Sequence, residues 1–350
     1  MPAKSFTAMS DGRILMLYTG GTIGMIRNAK GALMPFEFSN LLEQIPELKQ
    51  LRCEIDTDAL DTPIDSSNMS PQHWARLARR IEQDYHQYDG FVILHGSDTM
   101  AYSSSALSFM LQNLSKPVVF TGSQLPIGIP RSDARENLLT AIEIALAKND
   151  EGGARVPEVA VYFEYDLFRG NRLHKMSSED FEAFQSMNYP KLAEAGVRIK
   201  YNETYIHPGS SGSFSTETEM DTRVGIITAF PGMTEAYVRG LTENDRLEAL
   251  IYRTFGSGNS PDSPWLLEAL RDFRLSGRTV VNISQCDGGG VSMGQYESSR
   301  ALLEMGVISA LDMTFEAALT KLMFLLPQEL RENELRELYE ANLKGELTER

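Results

Sequence analysis

A chain of 350 residues is long enough for two domains, or for one large domain with an appendage, and it can bury a sizeable core. Its 48 acidic against 33 basic residues leave a net charge of −15, a field that repels phosphate backbones and anionic membranes. Nucleic acid and lipid are therefore excluded as expected partners, whereas a small zwitterion is not. Two cysteines, Cys53 and Cys286, are too few for a disulfide framework and fit reduced thiols in the cytoplasm.

Met1 to Asp11 is polar, and Ile14 to Tyr18 is too short and too soon broken by glycine to be an export signal. No apolar run approaches the roughly 20 residues of a membrane span, so a soluble, cytoplasmic protein is expected. Ile14 to Leu17 reads as a buried strand. It runs into Tyr18-Thr19-Gly20-Gly21-Thr22-Ile23-Gly24, where glycines permit a tight turn and bring the backbone close to whatever binds there. Residues 25–35, with Gly31 and Pro35, read as a loop able to close over a site. Ser39 to Leu51 has helical apolar spacing at Leu41, Leu42, Ile45 and Leu48, interrupted by Pro46. Thr62 to Met69 is a second polar loop.

Ser70-Pro71 opens a helix, serine suiting the N-cap and proline the first helical position. Trp74, Leu77, Ala78, Ile81 and Tyr85 form its apolar face, and Gly90 stops it. Phe91 to Leu94 is the next strand and delivers the turn His95-Gly96-Ser97-Asp98-Thr99. A helix over Thr99 to Leu114, a strand over Val118 to Phe120 ending in Thr121-Gly122-Ser123-Gln124, a helix over Arg131 to Lys148 and a strand over Val159 to Phe163 follow. Such alternation means right-handed βαβ units and a mostly parallel sheet, an α/β fold. Sites in such sheets gather at the carboxyl ends of strands, where both hydroxyl-bearing turns lie. By itself the first turn reads more readily as a plain strand-end turn, and the second hydroxyl-bearing turn after a strand is what shifts the weight toward a site. A phosphate cradle lacks the Gly-Lys-Ser/Thr ending and the Gly-x-Gly-x-x-Gly spacing.

Residues 166–190 lose the alternation. Arg169, Gly170, Asn171, Arg172, His174 and Lys175 form a basic patch, either a solvated loop or the source of a lysine whose charge a site can tune for proton transfer. Residues 208–222, rich in Gly, Ser, Thr and Glu, read as a linker between a domain at 1–207 and another at 223–350. The second domain shows strands at Val224 to Ala229, Leu250 to Arg253 and Val280 to Ser284. Its helices are expected at Trp265 to Phe273, Thr314 to Leu326 and Glu329 to Leu343.

Taken in order, Thr19-Gly20-Gly21-Thr22-Ile23, Asp65-Ser66-Ser67, the strand end Phe91 to Gly96 continuing through Ser97-Asp98-Thr99-Met100, Arg169 to Arg172 with Lys175, Tyr252-Arg253 and Gln285-Cys286 resemble the bacterial L-asparaginase family over nearly the whole chain. With no export signal the chain is similar to the cytoplasmic, type I branch. The resemblance implies two α/β domains, the larger first, in a homodimer or homotetramer, and hydrolysis of the side-chain amide of L-asparagine to L-aspartate and ammonia. It implies that Thr22 is the nucleophile of an acyl-enzyme, supported by Ser97, Asp98 and Lys175, because a free threonine hydroxyl must pass its proton to a base. It implies further that Asp65, Ser66, Ser67, Ser97 and Asp98 hold the amino-acid end of the substrate, and that no metal or organic cofactor is required. The five histidines and two cysteines show no metal-ligand spacing.

Two departures from the family pattern stand out. Ser97 occupies a position usually filled by threonine, which keeps the hydroxyl and loses the methyl group that restrains its rotamer. Ala32 stands where related enzymes carry a loop tyrosine, and no tyrosine occurs between Thr22 and Tyr85. Phe36 can close a lid but cannot move a proton. Another group then activates Thr22, or the tyrosine is dispensable, or the chain is slow. Arg253, Ser284 and Cys286 match a second, regulatory asparagine site of some relatives, although an arginine at a strand end also reads as an ordinary ion-pair partner. Competing readings are a glutaminase, an amidase acting on misacylated transfer RNA (which the acidic charge opposes), a catalytically dead amino-acid sensor retaining Asp65, Ser66 and Asp98, and a nucleotide-binding protein, which lacks a phosphate-loop lysine.

Overall fold

The computed structural model describes residues 12–27, 33–35, 45–59, 63–294 and 297–349. Ala32, Phe36, Leu41 and Leu42 lie outside the described residues. The chain divides into two compact units: Met1–Gly170 with Lys175–Gln185 and Lys191–Thr218, and Asn171–His174 with Ser186–Pro190 and Glu219–Arg350.

In the first unit the main strands are β1 (Arg13–Tyr18), β2 (Glu54–Ala59), β3 (Gly90–Leu94), β4 (Val118–Thr121), β5 (Val159–Phe163), β6 (Asp166–Arg169), β7 (Ala193–Ala195) and β8 (Ile199–Tyr201). They form one sheet in the order β8-β7-β6-β5-β4-β3-β1-β2. From β2 through β5 every pairing is parallel, and from β5 to β8 every pairing is antiparallel. The central strands are continuous apolar runs because helices cover parallel sheets on both faces. All five residues of β3 and of β5 are buried. The helices are α1 (Pro71–Asp84), α2 (Met100–Met110) and α3 (Ala134–Leu146).

Several boundaries differ from expectation for identifiable reasons. Residues 45–51 hold a 3-10 turn, Pro46–Gln50, instead of an α-helix, with proline at its first position. α1 ends at Asp84, well before Gly90, which instead opens β3 where a Cβ would meet Ala145 O at 2.6 Å. Residues 166–190 are not irregular throughout. β5 turns back into β6 through Glu164 and Tyr165, whose φ values of 45° and 71° give the paired left-handed conformation of a tight hairpin. Within 208–222, Ser215–Thr216 pairs antiparallel with Leu111–Gln112.

The second unit carries β9 (Val224–Thr228), β10 (Ala249–Thr254), β11 (Thr279–Ser284) and β12 (Ile308–Ser309), all parallel and in that order. Helices α4 (Glu235–Thr242), α5 (Pro264–Leu275), α6 (Glu297–Glu304), α7 (Phe315–Leu325) and α8 (Glu332–Glu340) complete it. Ile227, Leu250, Tyr252, Leu270, Phe273 and Val280 are all fully buried in one apolar cluster. The tail beyond α8 is tied down by Arg172, whose Nε donates to Gly345 O at 2.8 Å, and by the fully buried pair Lys321 and Glu346.

Candidate active site

β1 and β3 are neighbours in register, Tyr18 opposite Leu94, so the turns that follow them leave the sheet side by side. Thr19 fastens the first turn to the second strand: its N–H and its Oγ1 both donate to Leu94 O at 3.0 Å. Gly20 and Gly21 then take φ values of 129° and 90°, which side chains rarely adopt. Thr22 starts a 3-10 turn, Thr22–Gly24, and is partly exposed.

Three turns converge here. A Cβ on Gly21 would stand 2.5 Å from Gly96 N, and one on Gly96 would stand 2.6 Å from Ser66 Oγ. A Cβ on Gly20 would collide with the Ile64 carbonyl. Thr99 Oγ1 donates to Ser66 O at 2.7 Å and locks the second and third turns together. The backbones of the turns bearing Thr22, Ser66 and Ser97 are thus in contact, which is what the glycines are for.

Asp65 caps the third turn. One carboxylate oxygen accepts from Ser67 N–H at 2.9 Å and from Ser67 Oγ at 2.8 Å. These bonds, the backbone one foremost, hold the Asp65 carboxyl below its ordinary range and keep it anionic. Asp65 and Ser67 are exposed, while Ser66 is buried.

Lys175 begins a hairpin in which Met176 N–H donates to Ala183 O at 2.7 Å. Its ammonium donates to Ser97 Oγ at 2.8 Å and to Asp98 Oδ1 at 2.6 Å. The lysine side chain is 16% exposed and Asp98 is 64% exposed, so the pair offers a sheltered amine and an open carboxylate. Gln124, in the turn after β4, joins the group through a 3.3 Å hydrogen bond from Ser97 Oγ to its Oε1.

His95 had no role in the sequence reading, and it is wholly buried beneath the second turn. Trp74 Nε1, a donor only, gives its proton to Ser103 Oγ at 2.8 Å. Gly96 O can only accept, so His95 Nδ1–H donates to it at 2.7 Å, and in the neutral ring Nε2 accepts from Ser103 Oγ at 2.8 Å. Burial pushes the imidazole down to about 4, so it is neutral and serves as a strut for the backbone before Ser97, not as a base.

The remaining sequence candidates lie in the second unit. Arg253 stacks over Phe315 at 4.7 Å, and its Nε is buried without a hydrogen-bond partner among the described residues. Ser284 Oγ donates to Gly256 O at 2.6 Å and accepts Cys286 N–H at 2.9 Å, while the Cys286 thiol is exposed. Among the described residues no group of three or more His, Cys, Asp and Glu is placed to hold a metal ion.

The chain is similar to known proteins along nearly its whole length. A family model described as asparaginase, N-terminal, matches residues 13–207, and one described as glutaminase/asparaginase C-terminal domain matches residues 223–339. L-asparaginase 1 of Escherichia coli (strain K12) is 42% identical over 342 residues, covering 97% of this chain and 99% of that protein. The structure of L-asparaginase I from Vibrio cholerae O1 biovar eltor superposes with a TM-score of 0.87 at 40% identity, over 96% of this chain and 99% of that one. The thermostable L-asparaginase from Thermococcus kodakarensis superposes with a TM-score of 0.88 at 34% identity, over 97% and 100%.

Proposed function

The chain belongs to the asparaginase family, and from that premise we propose that it hydrolyses L-asparagine to L-aspartate and ammonia through an ester on Thr22. The observation that carries the reading is the Lys175 ammonium, 2.8 Å from Ser97 Oγ and 2.6 Å from Asp98, on a turn whose backbone abuts the one bearing Thr22. Thr22 Oγ1 adds to the side-chain amide carbon while its proton passes to a base, and main-chain N–H groups of the glycine turns stabilise the oxyanion. Collapse breaks the C–N bond, ammonia leaves with a proton, and water then adds to the ester to release aspartate and restore the hydroxyl. Ser97 and Lys175 share protons along this path, the lysine accepting as the free amine and donating to the leaving ammonia as the ammonium that Asp98 holds. Asp98 also faces the substrate ammonium, and Asp65, Ser66 and Ser67 hold the amino-acid end by charge-assisted hydrogen bonds. The steps call for no metal or organic cofactor.

Ammonia release from L-asparagine and L-glutamine, by the wild type and Thr22→Ala, tests the reading. Release from asparagine that vanishes in the variant is expected. No turnover, with heat stabilisation by asparagine, would favour an amino-acid sensor. Some release from glutamine is also expected, since one extra methylene is worth only about 1–3 kcal/mol to a pocket.

The same reading carries a cytoplasmic location and a homodimer or homotetramer, the latter checked by light scattering. Among the described residues no helix is long and apolar enough to cross a membrane. A second asparagine site at Arg253, Ser284 and Cys286 is supported by the unpartnered Arg253 Nε, which suits a carboxylate. A sigmoidal rate curve that becomes hyperbolic in Arg253→Ala is the expected outcome, and a hyperbolic wild type would remove the proposal.

A further inference from the structure

We infer that Gln124 is a positioning residue of the reaction, one that sets the rotamer and proton direction of the Ser97 hydroxyl. The inference rests on the proposed role of Ser97. As an ammonium Lys175 can only donate, so in that state Ser97 Oγ accepts from its Nζ at 2.8 Å, and the serine proton must go elsewhere. Among the described residues the acceptor is Gln124 Oε1 at 3.3 Å. The amide cannot be turned the other way round. Gln124 Nε2 lies 2.9 Å from the carbonyl oxygen of Asp180, which can only accept, and this leaves Oε1 facing Ser97.

The backbone of Gln124 is held as firmly as its side chain. Asp133 accepts from Gln124 N–H at 2.9 Å and from Leu125 N–H at 3.1 Å, and Asn137 Nδ2 steadies the same carboxylate at 3.2 Å. Gln124 is therefore a fixed acceptor presented to a mobile hydroxyl. Serine has three staggered wells at χ1, and threonine fewer because its Cβ is branched. The bond to Gln124 selects one well and so supplies the restraint that a threonine methyl would otherwise provide. A hydroxyl hydrogen bond of 3.3 Å is long, so it orients the proton without trapping it.

The test is a double-mutant cycle in the full chain with L-asparagine as substrate, comparing Gln124→Met, Ser97→Thr and both together, with Ser97→Ala as reference. In the wild-type background Gln124→Met is expected to lower kcat about tenfold with KM little changed, the scale of one uncharged hydrogen bond. In the Ser97→Thr background, whatever its own rate, the same change is expected to cost less than about twofold, because the branched side chain restrains itself. Equal losses in the two backgrounds, no loss in either, or a rise in KM alone would overturn the inference. A fully active Ser97→Ala would instead remove the role proposed for Ser97. Should Gln124→Met prove unstable by thermal unfolding, Gln124→Ala in both backgrounds makes the same comparison.

Discussion

Gly21 has no room for a methyl group. Its φ is 90°, and a Cβ would stand 2.5 Å from Gly96 N, a rigid backbone atom. Gly21→Ala must therefore push apart the two turns that carry Thr22 and Ser97. A displacement of about an ångström between reacting groups costs on the order of 100-fold in rate. We expect kcat/KM for asparagine to fall by at least about that factor. Gly152→Ala is the matched control: its φ is 82°, yet nothing lies within 4 Å of the added methyl group. It is expected to cost about 1 kcal/mol of stability, through backbone conformation alone, and to leave activity intact. Rates and thermal unfolding midpoints of the two variants together separate crowding from backbone strain. Equal losses of activity would refute the packing argument. At this scale the glycines, Thr22, Ser97 and Lys175 were legible because their order and spacing carry a family resemblance. Gln124 was not, since its role depends on which acceptor its amide meets beyond Ser97, and spacing holds no trace of Asp180. His95 was visible as a residue, but its neutral, strut-like state follows from burial that one sequence cannot report.

Among the elements, the buried parallel strands β1, β3, β4, β5, β10 and β11 were readable because coverage on both faces makes each a continuous apolar run. β2 was missed. It is an edge strand, none of its sequence Glu-Ile-Asp-Thr-Asp-Ala is buried, and acidic side chains suit an edge that must not pair further. α4 was missed because it is eight residues long and contains Gly240. The tail after α8 has no regular structure, yet it is among the most tightly held segments. Glu346 is fully buried against the Lys321 ammonium, and its carboxylate also accepts from Leu343 N–H at 3.0 Å and Lys344 N–H at 2.7 Å. Lys321→Met leaves that carboxylate buried without its cation, and should destabilise the fold by about 3–5 kcal/mol. Lys321→Met with Glu346→Gln removes the uncompensated charge and should recover a measurable part of the loss. Chemical denaturation midpoints of the two variants check this; a double variant no more stable than Lys321→Met would show that the charge pair is not what holds the tail.

For the molecule as a whole, the titrations of buried His95 and half-buried Glu164 bend the stability profile in opposite senses. His95 titrates near 4 in the fold, against an ordinary 6.5, because burial disfavours its charged form. Between those values the unfolded chain binds the extra proton, so the stability tied to neutral His95 is complete above about 6.5 and drains away as pH falls toward 4. At roughly 1.4 kcal/mol per pH unit this is on the order of 3 kcal/mol. Glu164 behaves in reverse. Burial first, then the charges of Asp133, Glu136 and Glu182, raise its carboxyl from 4.5 to about 7. Its protonated form belongs to the fold, so its contribution is present below 4.5 and is lost as pH rises through about 7. Glu164→Gln, which keeps the shape and removes the ionisation, should therefore raise the unfolding midpoint relative to wild type at pH 8, and the gain should vanish near pH 4.5. His95→Asn should lower the midpoint at every pH, since it breaks the Trp74–Ser103–His95 chain, while flattening the acid-side slope. Midpoints measured from pH 4.5 to 8 for the three proteins decide the matter. A Glu164→Gln curve parallel to wild type would mean that this carboxylate ionises as it would in water, and that the acidic face around it is hydrated well enough to carry the charge.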